Sequence, residues 1–236
     1  MVINPEGNYL IAKDGNQVTR LAIDGSGLVP AARGHWIHHK WKVKRGFIRL
    51  SIMADIDTKQ ILAFSITDET VGESPQLPTL LDQALDKLGI KHDGQTKEVS
   101  LVLMGDKAYD SEANYEYCKK LGVKALIPVR VNALHHAGGD ARSEAVLEQM
   151  GDKPDADPDT VNALSKEERE KNQREWKKLY DVGMRWSVEG VFSSFKRMLG
   201  ESVSAVKWAN VITEISSMIN IYNWMQYISE EAIRNT

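Results

Sequence analysis

Apolar residues come first in short runs along this chain and later in helical stripes. VTRLAID, 18–24, is an apolar run ending in an aspartate before a turn-like GSG, and it predicts a strand. FIRLSIMAD, 47–55, and ILAFSIT, 61–67, predict two more, and the turn-forming DIDTKQ between them predicts an antiparallel hairpin. Over 74–90 the period changes. Leu77, Leu80, Leu81, Ala84, Leu85 and Leu88 fall at helical spacing and give one continuous apolar face. VSLVLMGD, 99–106, returns to strand and again ends in an aspartate. SEANYEYCKKLG predicts a short helix closed by Gly122, and KALIPVR, 124–130, predicts a further strand.

Three strands followed by helix, strand, helix and strand predict an α/β fold with a mixed sheet. From about 132–172 the apolar periodicity gives way to GGD, GDKPDADPD and dense charge, which reads as a surface insertion or flexible linker. Helix resumes at Ser165, where S-K-E-E supplies a capping box with Glu168. Two helices close the chain. One spans 185–199 and buries Val188, Val191, Phe192 and Phe195. The other runs from Trp208 to about Tyr227 on a stripe of Val211, Ile212, Ile215, Met218, Ile219 and Tyr222.

Composition narrows the class. The chain has 236 residues, 42% hydrophobic and 27% charged, as expected of a globular protein with a sizeable core. No run approaches the roughly 20 apolar residues of a membrane span, and the N-terminus has neither the basic start nor the apolar stretch of a secretory signal. A single cysteine, Cys118, excludes an internal disulfide framework and a cysteine-cage zinc site. These features together predict a cytoplasmic protein without a membrane partner. The net charge of −3 does not advertise a nucleic-acid binder, but it is unevenly spread. Residues 25–54 contain no Asp or Glu, yet hold Arg33, Lys40, Lys42, Lys44, Arg45 and Arg49. His35, Trp36, His38, His39 and Trp41 are interleaved with them, so a basic, aromatic-rich surface coexists with a mildly acidic whole. Neither these histidines nor His135 and His136 have a convincing zinc spacing.

Candidate chemistry rests on three carboxylates. Asp24 and Asp106 end predicted strands, where α/β folds gather their sites. Either alone is more often a helix cap or turn residue, although Asp110 and Ser111 are better placed to cap the helix after Asp106. Glu189 lies inside a helix with Arg185 four residues before it and Lys196 seven after, all on one face. A carboxylate between two cations suits a metal ligand. The same spacing would also make a salt-bridge ladder on a solvated helix, and spacing alone does not choose between them.

Four ordered blocks resolve the choice: AIDGSGL, DIDTKQILAFSITDETVGESPQLPTLL, GDKAYDSEANYEYCKKLGVKALIPVR and RWSVEGVFSSFKR. Together they resemble the catalytic core of insertion-sequence transposases of the DDE type, from about Val18 to Tyr227. Arg185, Glu189 and Lys196 match that family's Arg-x3-Glu-x6-Lys signature. The resemblance implies an RNase H-like fold, a mixed five-stranded sheet flanked by helices with a polar insertion before the glutamate-bearing helix. It implies one such domain over 1–236. It further implies Asp24, Asp106 and Glu189 as catalytic residues holding Mg²⁺, with Mn²⁺ as substitute, in a two-ion site. Such ions, roughly 3.5–4 Å apart, serve both cleavage at transposon ends and strand transfer to target DNA. Arg185, Lys196, Arg197, Lys42, Lys44 and Arg45 would bind DNA phosphates. The implied partner is double-stranded DNA, bound by a homodimer in the prokaryotic cytoplasm. A non-catalytic DNA-binding remnant and a nuclease without joining activity are the competing expectations.

The pattern also departs from the family. Val182 occupies the position of the signature's tyrosine, and Tyr180 lies two residues too early. Only 23 residues precede Asp24, too few for the family's usual N-terminal end-binding region.

Overall fold

The strand carrying Asp24 organises the sheet, and it is longer than the sequence pattern predicts. The computed structural model describes residues 10–11, 17–31, 47–90, 99–136, 140–151 and 156–234. In it, β1 spans Leu10–Ile11 and β2 spans Gln17–Pro30. β2 runs straight through Gly25-Ser26-Gly27, which the sequence reads as a turn. It does so because β3, Ile48–Asp55, pairs antiparallel along it from Leu21↔Asp55 to Leu28↔Ile48. The glycines serve close approach instead. A Cβ on Gly25 would stand 2.9 Å from Glu73 Oε1, and one on Gly27 would stand 3.3 Å from the Phe47 ring.

The predicted hairpin forms, with β4 at Ile61–Asp68 antiparallel to β3. β5, Val99–Met104, lies parallel on the other side of β2, and β6, Val123–Leu126, lies parallel to β5. The order is therefore β4-β3-β2-β5-β6, with only β3 reversed, and β1 pairs at the margin of β2. β7, Ser202–Val203, extends β2 at its far end. This mixed five-stranded arrangement is RNase H-like. β6 is shorter than the predicted 124–130. Beyond Leu126 the backbone leaves the sheet and is held by side chains: the Val129 amide donates to Gln149 Oε1 at 2.9 Å, and the Arg130 amide to Asp110 Oδ2 at 2.9 Å.

Alternation along the strands divides the core. Leu21, Ile23, Met53, Leu101 and Leu103 face α1, Leu77–Leu88, and α2, Glu112–Lys120. The opposite set, Ala22, Leu28, Ile48, Leu50, Ile52, Ala54 and Met104, faces the two closing helices. Those closing helices meet the sheet through Val188, Val191, Phe192, Phe195, Val211, Ile215, Ile219 and Tyr222. Ile212, read as part of that stripe, is exposed instead.

In its described residues the polar stretch is a folded insertion and not a linker. It carries three helices, α3 at Ala141–Met150, α4 at Pro158–Ala163 and α5 at Lys166–Leu179, capped by Asp140, Asp157 and the expected Ser165–Glu168 box. Its few apolar residues are well placed. Ala145, Val146, Met150 and Val161 join the α1-side core, while Trp176 joins the other. Buried Arg169 donates to the backbone oxygens of Val161 at 2.9 Å, Asn162 at 3.1 Å, Leu164 at 3.2 Å and also Ala133. The last two helices are α6, Trp186–Leu199, and α7, Trp208–Arg234. Among the described residues no helix is long and apolar enough to cross a membrane.

Candidate active site

The parallel pairing of β2 with β5 ends at Ala22↔Met104. Asp24 and Asp106 each lie two residues beyond that last pair, on the same side of the sheet by alternation. Asp24 is not at the end of its strand, as the sequence predicted. β2 continues six residues past it, and it is β5 that stops. The gap so opened is a crevice at the middle of β2.

Asp24 is well covered there. Its Oδ1 accepts the Gly25 amide at 2.9 Å, and its Oδ2 lies 3.7 Å from Arg185 Nη1. Burial raises its pKa above the ordinary aspartate value, the Gly25 amide and Arg185 oppose the rise, and the Asp106 and Glu73 carboxylates add to it. Asp106 caps the 3₁₀ turn Lys107–Tyr109, accepting the Ala108 amide at 2.7 Å. The sequence pointed away from a capping role for Asp106. Ser111 does cap α2, yet Asp106 has a turn of its own. Asp110 instead receives the Arg142 guanidinium at 2.7 and 2.9 Å.

Glu189 is in the first turn of α6, with its side chain 56% exposed, and it accepts from Arg185 Nη2 at 2.9 Å. Arg185, at the end of the 3₁₀ turn Val182–Arg185, thus stands between Asp24 and Glu189. Among the described residues no three Asp, Glu, His or Cys side chains converge as a ready metal cage. Asp24 and Asp106 neighbour each other, while Glu189 faces the arginine. Lys196 does not share that position. Its Nζ donates to Gly27 O at 2.9 Å and lies 3.9 Å from Glu201, fastening α6 to the extension of β2. Arg197 is exposed on α6.

The remaining candidates sit elsewhere. Lys42, Lys44 and Arg45 lie outside the described residues, as do His35, Trp36, His38, His39 and Trp41. His135 and His136 anchor their loop by backbone amides, to Asn162 Oδ1 at 2.8 Å and Ser143 Oγ at 3.2 Å. Tyr180 closes α5 with Lys124 Nζ 5.2 Å above its ring, and a hydrogen bond with Glu148 and partial burial push its phenol up to about 12. Val182, in the tyrosine's signature position, is buried.

Two residues that sequence reading passed over border the crevice. Glu73 approaches Gly25 from the α1 side and lies 3.7 Å from Arg49. Tyr109 is wholly buried, and among the described residues its hydroxyl has no hydrogen-bond partner. Burial, then the carboxylates of Glu73, Asp24 and Asp106, raise its pKa. The signal available beforehand was the glycine directly after Asp24, a place where another side chain could approach the strand.

A family described as the transposase DDE domain matches residues 17–224. Among solved structures, the piggyBac transposase synaptic complex with hairpin DNA is similar at 11% identity and a TM-score of 0.46. That match covers 89% of this chain and 47% of that one. The Drosophila P element transposase strand transfer complex is similar at 10% identity and a TM-score of 0.27, covering 87% and 49% respectively. The chain thus spans about half the length of these structures. No curated protein matches it.

Proposed function

The chain belongs to the transposase DDE-domain family, and from that membership we propose that it is a catalytic core that cuts DNA at transposon ends and joins them to target DNA. Asp24, Asp106 and Glu189 are its three acidic residues. The observation that carries this reading is the crevice itself, where β5 stops two residues short of Asp106 and Arg185 links Asp24 to the glutamate helix.

The residues fit a divalent metal by their chemistry. Carboxylate oxygens are the hard donors that Mg²⁺ and Mn²⁺ select, and Gly25 leaves room for the Glu73 carboxylate against the strand beside Asp24. Metal bound there, in the two-ion form, supplies Lewis-acid polarisation of a phosphoryl oxygen and lowers the pKa of water or of a 3′-hydroxyl. The protein's part is positional. Asp24 is fixed by the Gly25 amide and Asp106 by the Ala108 amide. Lys196 holds α6, and hence the backbone of Glu189, against β2. Arg185 lies against two carboxylates, Asp24 and Glu189. Its planar fork suits a DNA phosphate equally well, so substrate entry can take over the arginine and release Glu189 toward Asp24. Arg197, Lys42, Lys44 and Arg45 are proposed to add phosphate contacts that give affinity without reading sequence. Double-stranded DNA as partner, and a homodimer assembled on it, are proposed from the family membership. The setting proposed is the prokaryotic cytoplasm.

The test is a joining assay with a labelled, pre-nicked element end and a plasmid target in Mg²⁺, Mn²⁺ or EDTA. Metal-dependent joining should occur and be lost in Asp24→Asn, Asp106→Asn and Glu189→Gln, each still folded. Joining that survives any of these removes that residue from the site. Cleavage without joining would make the protein a nuclease, and neither activity from folded chain would make it a non-catalytic DNA binder.

A further inference from the structure

Glu73 and Tyr109 are a carboxylate and a buried hydroxyl, and the three-residue reading of the site uses neither. Both lie on the α1 side of the sheet, opposite the side that carries Arg185. By alternation Asp24 points toward α6 while Gly25 faces α1. An ordinary side chain at residue 25 would therefore screen one set of groups from the other. With glycine there, Glu73 occupies the vacant space, since a Cβ would stand 2.9 Å from Oε1 and 3.1 Å from the carboxyl carbon. The carboxylate thus lies against the β2 backbone directly beside Asp24.

Its placement is built rather than incidental. Glu73 O accepts the Gln76 amide at 2.9 Å, and the Gln76 side chain is tied to Ser65 Oγ at 2.8 Å. The adjoining turn is joined to the Asp106 turn by one side chain. Asn114 Nδ2 lies 3.0 Å from Ser74 Oγ, 3.2 Å from Ser74 O and 2.9 Å from Tyr109 O. Asn114 is itself buried, so the turns bearing Glu73 and Tyr109 are locked together. A simple ion pair with Arg49 does not account for the arrangement. That separation is 3.7 Å, whereas Arg49 Nη1 donates to Val71 O at 2.7 Å.

The Tyr109 hydroxyl is the second, independent observation. A buried hydroxyl without a partner is costly and is usually satisfied by something bound. The carboxylates that act on it are those of Glu73, Asp24 and Asp106. A carboxylate set against the strand beside Asp24, on the same side of the sheet as a buried hydroxyl with no partner among the described residues, forms a setting for a hydrated cation. Oxygen donors bind the cation or its waters, and a phenol can donate to one of the oxygens.

We propose that Glu73 is a fourth carboxylate of the active site, reaching the divalent cation's hydration shell through the gap left by Gly25, with the Tyr109 hydroxyl hydrogen-bonded within that shell. The inference rests on the metal-site reading above. Glu73 acts as a positioning residue, and it links the α1 side of the sheet to a site otherwise assembled from the α6 side.

Mn²⁺ binding to the folded chain without DNA tests it, by calorimetric titration and by the Mn²⁺-induced rise in Tm. Glu73→Gln keeps the side chain's volume over Gly25 and should weaken Mn²⁺ roughly 10–100-fold, as outer-sphere partners of metal sites do. Tyr109→Phe removes only the hydroxyl and should weaken it by a smaller factor, without lowering the Tm of the metal-free chain. Wild-type affinity in Glu73→Gln, while Asp24→Asn has lost binding, overturns the proposal and leaves the three-carboxylate site standing. Wild-type affinity in Tyr109→Phe overturns the hydroxyl's place in it. An absence of saturable Mn²⁺ binding by the wild-type chain overturns the metal-site reading and this inference with it.

Discussion

Arg185 holds Asp24 and Glu189 apart and together at once. Its Nη1 is 3.7 Å from Asp24 Oδ2, and its Nη2 is 2.9 Å from Glu189 Oε1. The arginine that the sequence placed on one helix face with Glu189 therefore also neutralises the aspartate of the central strand.

Arg185 should be exchangeable for a cation in its electrostatic role. Arg185→Lys keeps the charge and loses the fork, so one contact at a time survives. We expect DNA cleavage to fall at least about tenfold, roughly 1.4 kcal/mol of transition-state stabilisation. Mn²⁺ affinity without DNA should hold or rise, because Glu189 is freer. Single-turnover cleavage beside Mn²⁺ titration checks both, and an unchanged cleavage rate would count against a phosphate role.

Asp24 carries a stability cost. Its pKa is raised on folding, mainly by burial. The folded chain therefore keeps this proton at pH values where the unfolded chain has released it. The group's contribution to stability is greatest below the ordinary value of 3.8 and is lost as pH rises through the elevated one. Asp24→Asn should accordingly have a Tm at pH 7 equal to or above wild type, with the advantage shrinking toward pH 4. Thermal unfolding across that range checks it, and a variant less stable at pH 7 would refute it.

Lys196 holds the fold as well as any substrate. Removing the partly buried bond to Gly27 O in Lys196→Met should cost about 1–2 kcal/mol in urea unfolding. The same variant should change the salt dependence of DNA binding by less than one phosphate's worth, a slope of roughly 0.9. A full unit of slope with unchanged stability would restore Lys196 to a phosphate.

Arg169 organises the helical insertion. Arg169→Leu leaves the carbonyls of Val161, Asn162 and Ala133 without their donor, and each buried orphan costs about 1–3 kcal/mol. A loss on the order of 3 kcal/mol or more is expected, with early proteolytic cutting between α4 and α5. Equal stability would show that the insertion does not depend on this residue.

Gly25→Ala should separate folding from binding. The backbone at residue 25 has an ordinary φ, so alanine is tolerated there, but its Cβ must displace the Glu73 carboxylate. The Tm should shift by only a few degrees while Mn²⁺ binding weakens as in Glu73→Gln. A variant that binds like wild type would show that Glu73's position is not set by the glycine.

The sequence by itself determined the elements and the order of the acids. Periods of two and of 3.6 mark which residues need burial locally, and so β3, β4, α1, α2, α6 and the Ser165 cap were legible, as were Asp24, Asp106 and Glu189 in their blocks. Only the tertiary structure decided how far β2 runs, because strand length depends on a partner and β3 pairs beyond the glycines to Leu28↔Ile48. It also decided that the described part of 132–172 folds, since its three helices share a few buried side chains, above all Arg169, that composition averages away. Likewise, spacing along α6 put Arg185, Glu189 and Lys196 on one face but could not say that Lys196 turns to Gly27. Nor could it say that Glu73 enters beside Asp24 from across the sheet. Those contacts join residues far apart in the chain, and their geometry is set by strand register and alternation, which no local pattern contains.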